Sequence, residues 1–297
     1  MFKRIVVPLD GSGFAAAALA PACELARAFG SRILLVRAVG PHGTPPGMLP
    51  GFFTDPIGGD GHQADVERAD DADAYLHAMT EQLRRDGYDA DMALALAAPG
   101  AGIAEAAALD HADLIVMSAH LRWKVPATTG ASATLDVLVR SRVPLLAWHA
   151  GGSAALEGGL DVGDHPPLLG RAESPLVVPL DGSPLAEAAL PIAEALARAF
   201  GVYLVLVRAV SRPELEDEAR RYLAGVSAAV EGRGVHVMPM TGVGDPFDVI
   251  ERIWREQYGG TIVLASRGRL GVHGTFFGSL AARIIEELEA PVLVARP

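Results

Sequence analysis

The chain has 297 residues, half of them hydrophobic, and a formal net charge of −11. This suits about two domains with sizeable cores and speaks against a broad nucleic-acid or acidic-membrane surface. The single cysteine, Cys23, excludes an intrachain disulfide framework and a cysteine-rich metal site.

Met1-Phe-Lys-Arg runs straight into an apolar strand pattern at 5–9, so no signal peptide is expected. No uncharged apolar run reaches the length of a membrane span, and the expected location is cytoplasmic. Residues 15–29 predict a helix, alanine-rich around Cys23, which reads as a small core residue, and closed by Gly30. A strand at 33–39, a charged amphipathic helix at 67–85 and a short strand at 93–96 follow. A helix then begins at 103–108, with a strand at 114–117, a helix at 132–140 and a last strand at 144–148.

The same order then returns. Ile5-Val-Val-Pro-Leu-Asp-Gly-Ser12 recurs as Leu176-Val-Val-Pro-Leu-Asp-Gly-Ser183, 171 positions on, and the spacing holds through Leu25-Ala-Arg-Ala-Phe-Gly30 and Leu35-Val-Arg-Ala-Val39. The second set of strands falls at 176–180, 203–210, 236–240, 261–264 and 291–295. Duplication is the simplest account. Continuous apolar strands alternating with helices imply an α/β protein: two doubly wound, parallel, five-stranded sheets in tandem, each covered on both faces. The domains read as 1–150 and 174–297, with a linker at 151–173 rich in Gly, Pro, Ala and Asp. The spacing falls to 147 at Gly87 and Gly234, so the first half carries 24 extra residues, centred on 40–62. This stretch, with Met48, Leu49, Phe52 and Phe53, is a surface loop or a hydrophobic lid over a neighbouring site.

The stretch from Thr261 to Ser279 is the richest in chemistry. It opens as a strand, breaks into a glycine loop and resumes at Leu280 as an amphipathic helix. Glycines let backbone approach an anion, and N–H groups at a helix start point at it. Ser279 stands where an N-cap would. In a doubly wound sheet, ligands sit beyond the carboxyl ends of the strands at the switch in strand order. There the first strand of this half ends in Pro179-Leu-Asp181-Gly-Ser and the fourth in Ala265-Ser-Arg267-Gly268.

These paired features resemble the universal stress protein family, over nearly the whole chain, and imply its Rossmann-like fold, similar to that of adenine nucleotide alpha hydrolases. The family's ATP-binding members carry Gly, two residues, Gly, nine residues, then Gly-Ser or Gly-Thr. Gly268, nine residues and Gly278-Ser279 match, and Ala265 stands at the first glycine. The resemblance implies ATP as ligand, Asp181 on the ribose hydroxyls and an adenine pocket near Ala209. Arg267 and Arg269 lie near enough in sequence to offset phosphate charge, a role shared with Mg2+. In the first half Leu121 replaces the second glycine and Ala131-Ser132 replaces Gly278-Ser279, so that site is read as altered although Asp10 is kept. The family's pairing through last strands implies an intramolecular pseudo-dimer joined at 144–148 and 291–295, with a further homodimer and a regulatory protein partner as possible assemblies.

Other chemistries leave no trace. Neither lysine follows a glycine, so a P-loop is excluded; Gly-x-Ser-x-Gly is absent, and the nine histidines show no metal-ligand spacing. A nucleotidyl transferase would need paired histidines near the first strand. Three readings stay open: a non-enzymatic ATP-binding regulatory module of a stress response, a slow ATPase in which Asp181 or His273 positions water, and a nucleotide-free scaffold.

Overall fold

The computed structural model describes residues 1–40, 60–120, 132–149, 169, 174–267 and 280–297. Of the 40–62 insertion, residues 41–59 lie outside the described residues, as do nearly all of the linker and Leu121, Ala131, Gly268, Gly278 and Ser279.

The first half runs β1 (Arg4–Pro8), α1 (Gly13–Ala16), α2 (Leu19–Phe29), β2 (Arg32–Ala38), α3 (Asp60–Arg85), β3 (Ala90–Ala95), α4 (Pro99–Leu109), β4 (Leu114–Ser118), α5 (Ala133–Arg140) and β5 (Leu145–Trp148). The second runs β6 (Leu176–Pro179), α6 (Pro184–Glu187), α7 (Leu190–Phe200), β7 (Leu204–Val210), a short 3-10 turn, α8 (Glu216–Glu231), β8 (Val237–Val243), α9 (Pro246–Glu256), β9 (Ile262–Ala265), α10 (Leu280–Glu287) and β10 (Val292–Ala295).

Alternation along the strands builds two cores, because successive side chains leave opposite faces of a sheet. On β1, Ile5 and Val7 join Leu25, Leu76 and Leu83 from α2 and α3. Val6, between them, joins Ile103, Leu135 and Leu138 from α4 and α5. The second half repeats the arrangement with Val178 on the α7 and α8 side and Val177 on the α9 and α10 side.

One helix expected per half at this point is in fact two. Residues 15–29 divide into α1 and α2, and their counterparts into α6 and α7. Pro21 and Pro191 are the cause. Proline has no N–H to give the carbonyl four residues back, and its ring crowds that carbonyl. Ala17 and Glu187 stand at those positions, where the first short helix ends in each half. Gly30 and Gly201 close α2 and α7 in the left-handed region, with φ 63° and 69°, as a C-cap glycine should. Two edge strands begin or end away from the expected bounds. β3 starts at Ala90 because it follows β2 in parallel register from Ile33, with Asp91 on Arg32 at 2.7 Å. β8 continues to Val243 alongside Val210.

The ten strands form one sheet in the order β3-β2-β1-β4-β5-β10-β9-β6-β7-β8. Pairing is parallel within each half. At the centre β5 and β10 pair antiparallel, Leu145 opposite Val294, Leu146 opposite Leu293 and Ala147 opposite Val292. Each last strand thus covers the other's open edge. The core beside α2 and α7 passes through this seam without a break, from Leu35 and Leu146 to Leu293 and Leu206. Leu169 plugs the groove between the two helices, buried against them, and its amide donates to Glu24 Oε2 at 3.1 Å. Among the described residues, His149 reaches across the seam to carbonyls of the second half and Arg296 to a carbonyl of the first.

Candidate functional site

In each half the strand order switches at the first strand: β1 lies between β2 and β4, and β6 between β7 and β9. Connections leave these strands in opposite directions, which opens a crevice at their carboxyl ends. Because β5 and β10 run antiparallel, the two crevices face opposite ends of the sheet.

The second crevice is built from the end of β6. Pro179 closes that strand, and the amide of buried Leu180 donates to Val207 O at 2.8 Å. The chain then turns at Gly182, with φ +87°, a value that favours glycine. The Ser183 amide donates to Asp181 Oδ1 at 2.8 Å, and Ser183 Oγ accepts from Ala186 N, so the same residue orients the carboxylate and caps α6. Burial alone would raise the Asp181 carboxyl. The Ser183 hydroxyl and amide, with the Arg208 guanidinium, outweigh it and hold the group below the usual carboxylate range.

Arg208 is a site residue that the sequence pattern did not single out. It comes from β7, and its guanidinium lies 3.4 Å from where a Cβ on Gly182 would be. It stacks over the Tyr222 ring of α8, 4.6 Å from the centroid, and the Tyr222 hydroxyl donates to Glu187 Oε1 at 2.7 Å. Asp181, Arg208, Tyr222 and Glu187 therefore form one polar wall behind the turn. The signal was present: Arg37 and Tyr75 recur as Arg208 and Tyr222 at the two repeat spacings, 171 and 147.

Of the expected site residues, Pro179, Asp181, Ala209 and Ala265 converge on the carboxyl ends of three adjacent strands, β7, β6 and β9. Ala209 packs at the rim of the core beside α9 and α10. Ala265 ends β9, and the next amide, of Ser266, donates to Ala295 O at 3.1 Å. Arg267 is exposed two residues further on, and Leu280 opens α10, half-buried against the same core. Gly268, Gly278 and Ser279 lie outside the described residues.

The first crevice keeps the turn and changes its wall. Asp10 accepts from the Ser12 amide at 2.8 Å and hydroxyl at 2.6 Å, and Arg37 lies over Tyr75 at 5.5 Å. Across from them, His120 replaces Arg267 and stacks face to face on Phe14, centroids 3.6 Å apart and planes 6° apart. Burial lowers the His120 imidazole's affinity for a proton and Asp10 opposes that, with the net effect downward. Ser118, where the second half has Ala265, donates to Phe14 O at 2.6 Å, and Thr134, where it has Ala281, donates to Ser118 O at 3.2 Å. Two hydroxyl ties thus stand where the second half has Ala265 and Ala281, and an aromatic stack where it has Leu185 and Arg267.

The model of the "Universal stress protein family" matches residues 1–149 and 174–296. The chain belongs to the universal stress protein family. A universal stress protein of Thermus aquaticus, described by its place in the 3' region of a sulfhydrylase gene, is 31% identical over 146 residues, 49% of this chain and 98% of its own length. A universal stress protein structure from Archaeoglobus fulgidus is similar over 99% of this chain and 96% of its own, with a TM-score of 0.74 at 18% identity. A structure described as a putative universal stress protein from Pseudomonas aeruginosa covers 100% of this chain and 94% of its own, with a TM-score of 0.64 at 16% identity. At these identities the two structures speak to the fold, which they share along the whole chain. Among the described residues, no helix of this universal stress protein is long and apolar enough to cross a membrane, and no cluster of three or more His, Cys, Asp or Glu could hold a metal ion.

Proposed function

We propose that this universal stress protein binds ATP in the crevice of its second half and acts as a non-enzymatic regulatory module in a stress response. The observation that carries the reading is Asp181. Its carboxylate is kept ionised at the switch point of the sheet, on the rim where the Gly268 to Ser279 loop departs. An ionised carboxylate accepts hydrogen bonds from two ribose hydroxyls without needing a proton of its own. Ala265 leaves room for backbone approach, and the loop ends at the start of α10, where N–H groups face an anion. Mg2+ would offset the charge of the phosphates together with Arg267 and Arg269. The non-enzymatic part rests on the same carboxylate: held below the usual range, it is a weak general base for activating water.

A titration of ATP into Asp181→Ala and Asp10→Ala tests this reading. Losing a charge-assisted hydrogen bond costs roughly 1.5–3 kcal/mol, about tenfold to over a hundredfold in affinity. That loss is expected for Asp181→Ala, and no change beyond about twofold for Asp10→Ala. Equal losses in the two variants, or none in Asp181→Ala, contradict the assignment.

A further inference from the structure

His149 follows β5 at the seam, buried at 8% exposure. Its Nδ1 is 2.8 Å from Ala290 O and its Nε2 2.9 Å from Ile285 O. Both partners are backbone carbonyls, which only accept. A neutral imidazole carries one N–H, so one of the two pairings would set a ring lone pair against a carbonyl lone pair. The imidazolium donates to both. Ile285 also sits near the C-terminal end of α10, where the helix dipole favours a cation.

The repeat supplies an internal comparison. The counterpart of His149, 147 positions on, is Arg296. It follows β10 at the other end of the seam and donates to Ser141 O, the C-cap of α5, at 2.8 Å and to Ser266 O at 3.0 Å. The same job, a cation donating to two carbonyls and reaching the far half's last helix, is done at one end by a permanent charge and at the other by a titratable one.

We propose that His149 is a proton-dependent tie between the two halves, closed as the imidazolium and weakened on its deprotonation. The charged groups on the elements packed there are mainly acidic. α10 carries Glu286 and Glu287 with Arg283, and Glu289 lies in the turn before Ala290. Arg283 is engaged by Asp245 at 2.9 Å and Glu287 at 3.2 Å. β4 and β10, beside β5, have no charged residue, with His120 and Arg296 just past their ends, and α5 has Asp136 paired to Arg140 at 2.7 Å. Folding therefore binds a proton at His149 that the unfolded chain releases near the ordinary histidine range, about pH 6.5. The native state then holds more protons, so this contribution to stability is present at low pH and is lost as pH rises through the native transition.

Two measurements on the full chain test the tie. Nitrogen-15 spectra of labelled histidines, with His149 assigned by its loss in His149→Gln, should show both ring nitrogens protonated at pH 7. A neutral tautomer at that pH overturns the proposal. Thermal unfolding of wild type and His149→Gln across pH 6 to 8.5 should show a wild-type advantage that shrinks as pH rises. An advantage of constant size assigns His149 a packing role only and overturns the proposal. His149→Arg, which copies Arg296, should remove the pH dependence while keeping the tie. If His149→Gln does not fold, assignment through His149→Arg keeps the spectral test decisive.

Discussion

Gly268→Leu is expected to abolish detectable ATP binding while leaving the fold of the free chain unchanged. The substitution copies Leu121, the residue the first half carries at this position. A leucine side chain there blocks the backbone approach through which a glycine loop presents N–H groups to phosphate. Removing one charge-assisted hydrogen bond lowers affinity roughly tenfold to a hundredfold, and a displaced loop forfeits several together. The position follows the end of β9 by three residues in the sequence, in the glycine loop rather than in a strand or helix pattern, so thermal unfolding without nucleotide should match wild type. With nucleotide the two diverge: a ligand at a hundred times its Kd stabilises the native state by about 2.7 kcal/mol, and the variant should show none of that gain. A variant that binds as wild type does would remove the loop from the site.

Leu146→Ala lowers stability by about 2–5 kcal/mol, the range for emptying a fully buried leucine site, and destabilises both halves at once. Leu146 has no exposed surface, stands opposite Leu293 across the seam, and belongs to a core that continues from one half into the other. Denaturant unfolding followed by circular dichroism and by tryptophan fluorescence should give a single transition that shifts as a unit. Two transitions, only one of which moves, would show that the halves are held together by less than this shared core.

Much of this architecture could be read from residues because the chain states it twice. A strand that is apolar at every position must be covered on both faces, and two such last strands leave edges that satisfy each other. Pro21 and Pro191 were legible too, but alanine-rich periodicity around them outweighed a single ring whose effect falls four residues earlier. The extent of β3 was not legible, because Asp91 breaks its apolar run and only pairing with β2 and Arg32 supplies the compensation. At the site, the ends of β6 and β9 followed from the strand pattern, while the role expected of Asp181 came from the family resemblance. Arg208 did not, since an arginine near a strand end reads as a solvated charge until the fold sets Tyr222 beneath it. The first crevice shows the same limit. The loss of glycine at Leu121 is visible in one residue, whereas the stack of Phe14 on His120 joins positions 106 apart and exists only once β1 and β4 are neighbours.

The divergence of the halves reaches beyond the crevices. Cys23, buried beside Tyr88 and pushed up to about 12 by burial, has Glu194 as its counterpart. Glu194 is buried but bound by Arg233 at 2.6 Å and Arg198 at 2.9 Å, ion pairs that hold its carboxyl below the ordinary range. An apolar solution and an ionic one thus fill the same place, as two differently walled crevices occupy the same switch point.

The functional reading stands on the asymmetry of the two crevices, and calorimetric titration of the wild-type chain with ATP in the presence of Mg2+ is its decisive test. Saturation at one nucleotide per chain is expected. Saturation at two equivalent sites, or no heat and no bound nucleotide at any concentration, would contradict that asymmetry.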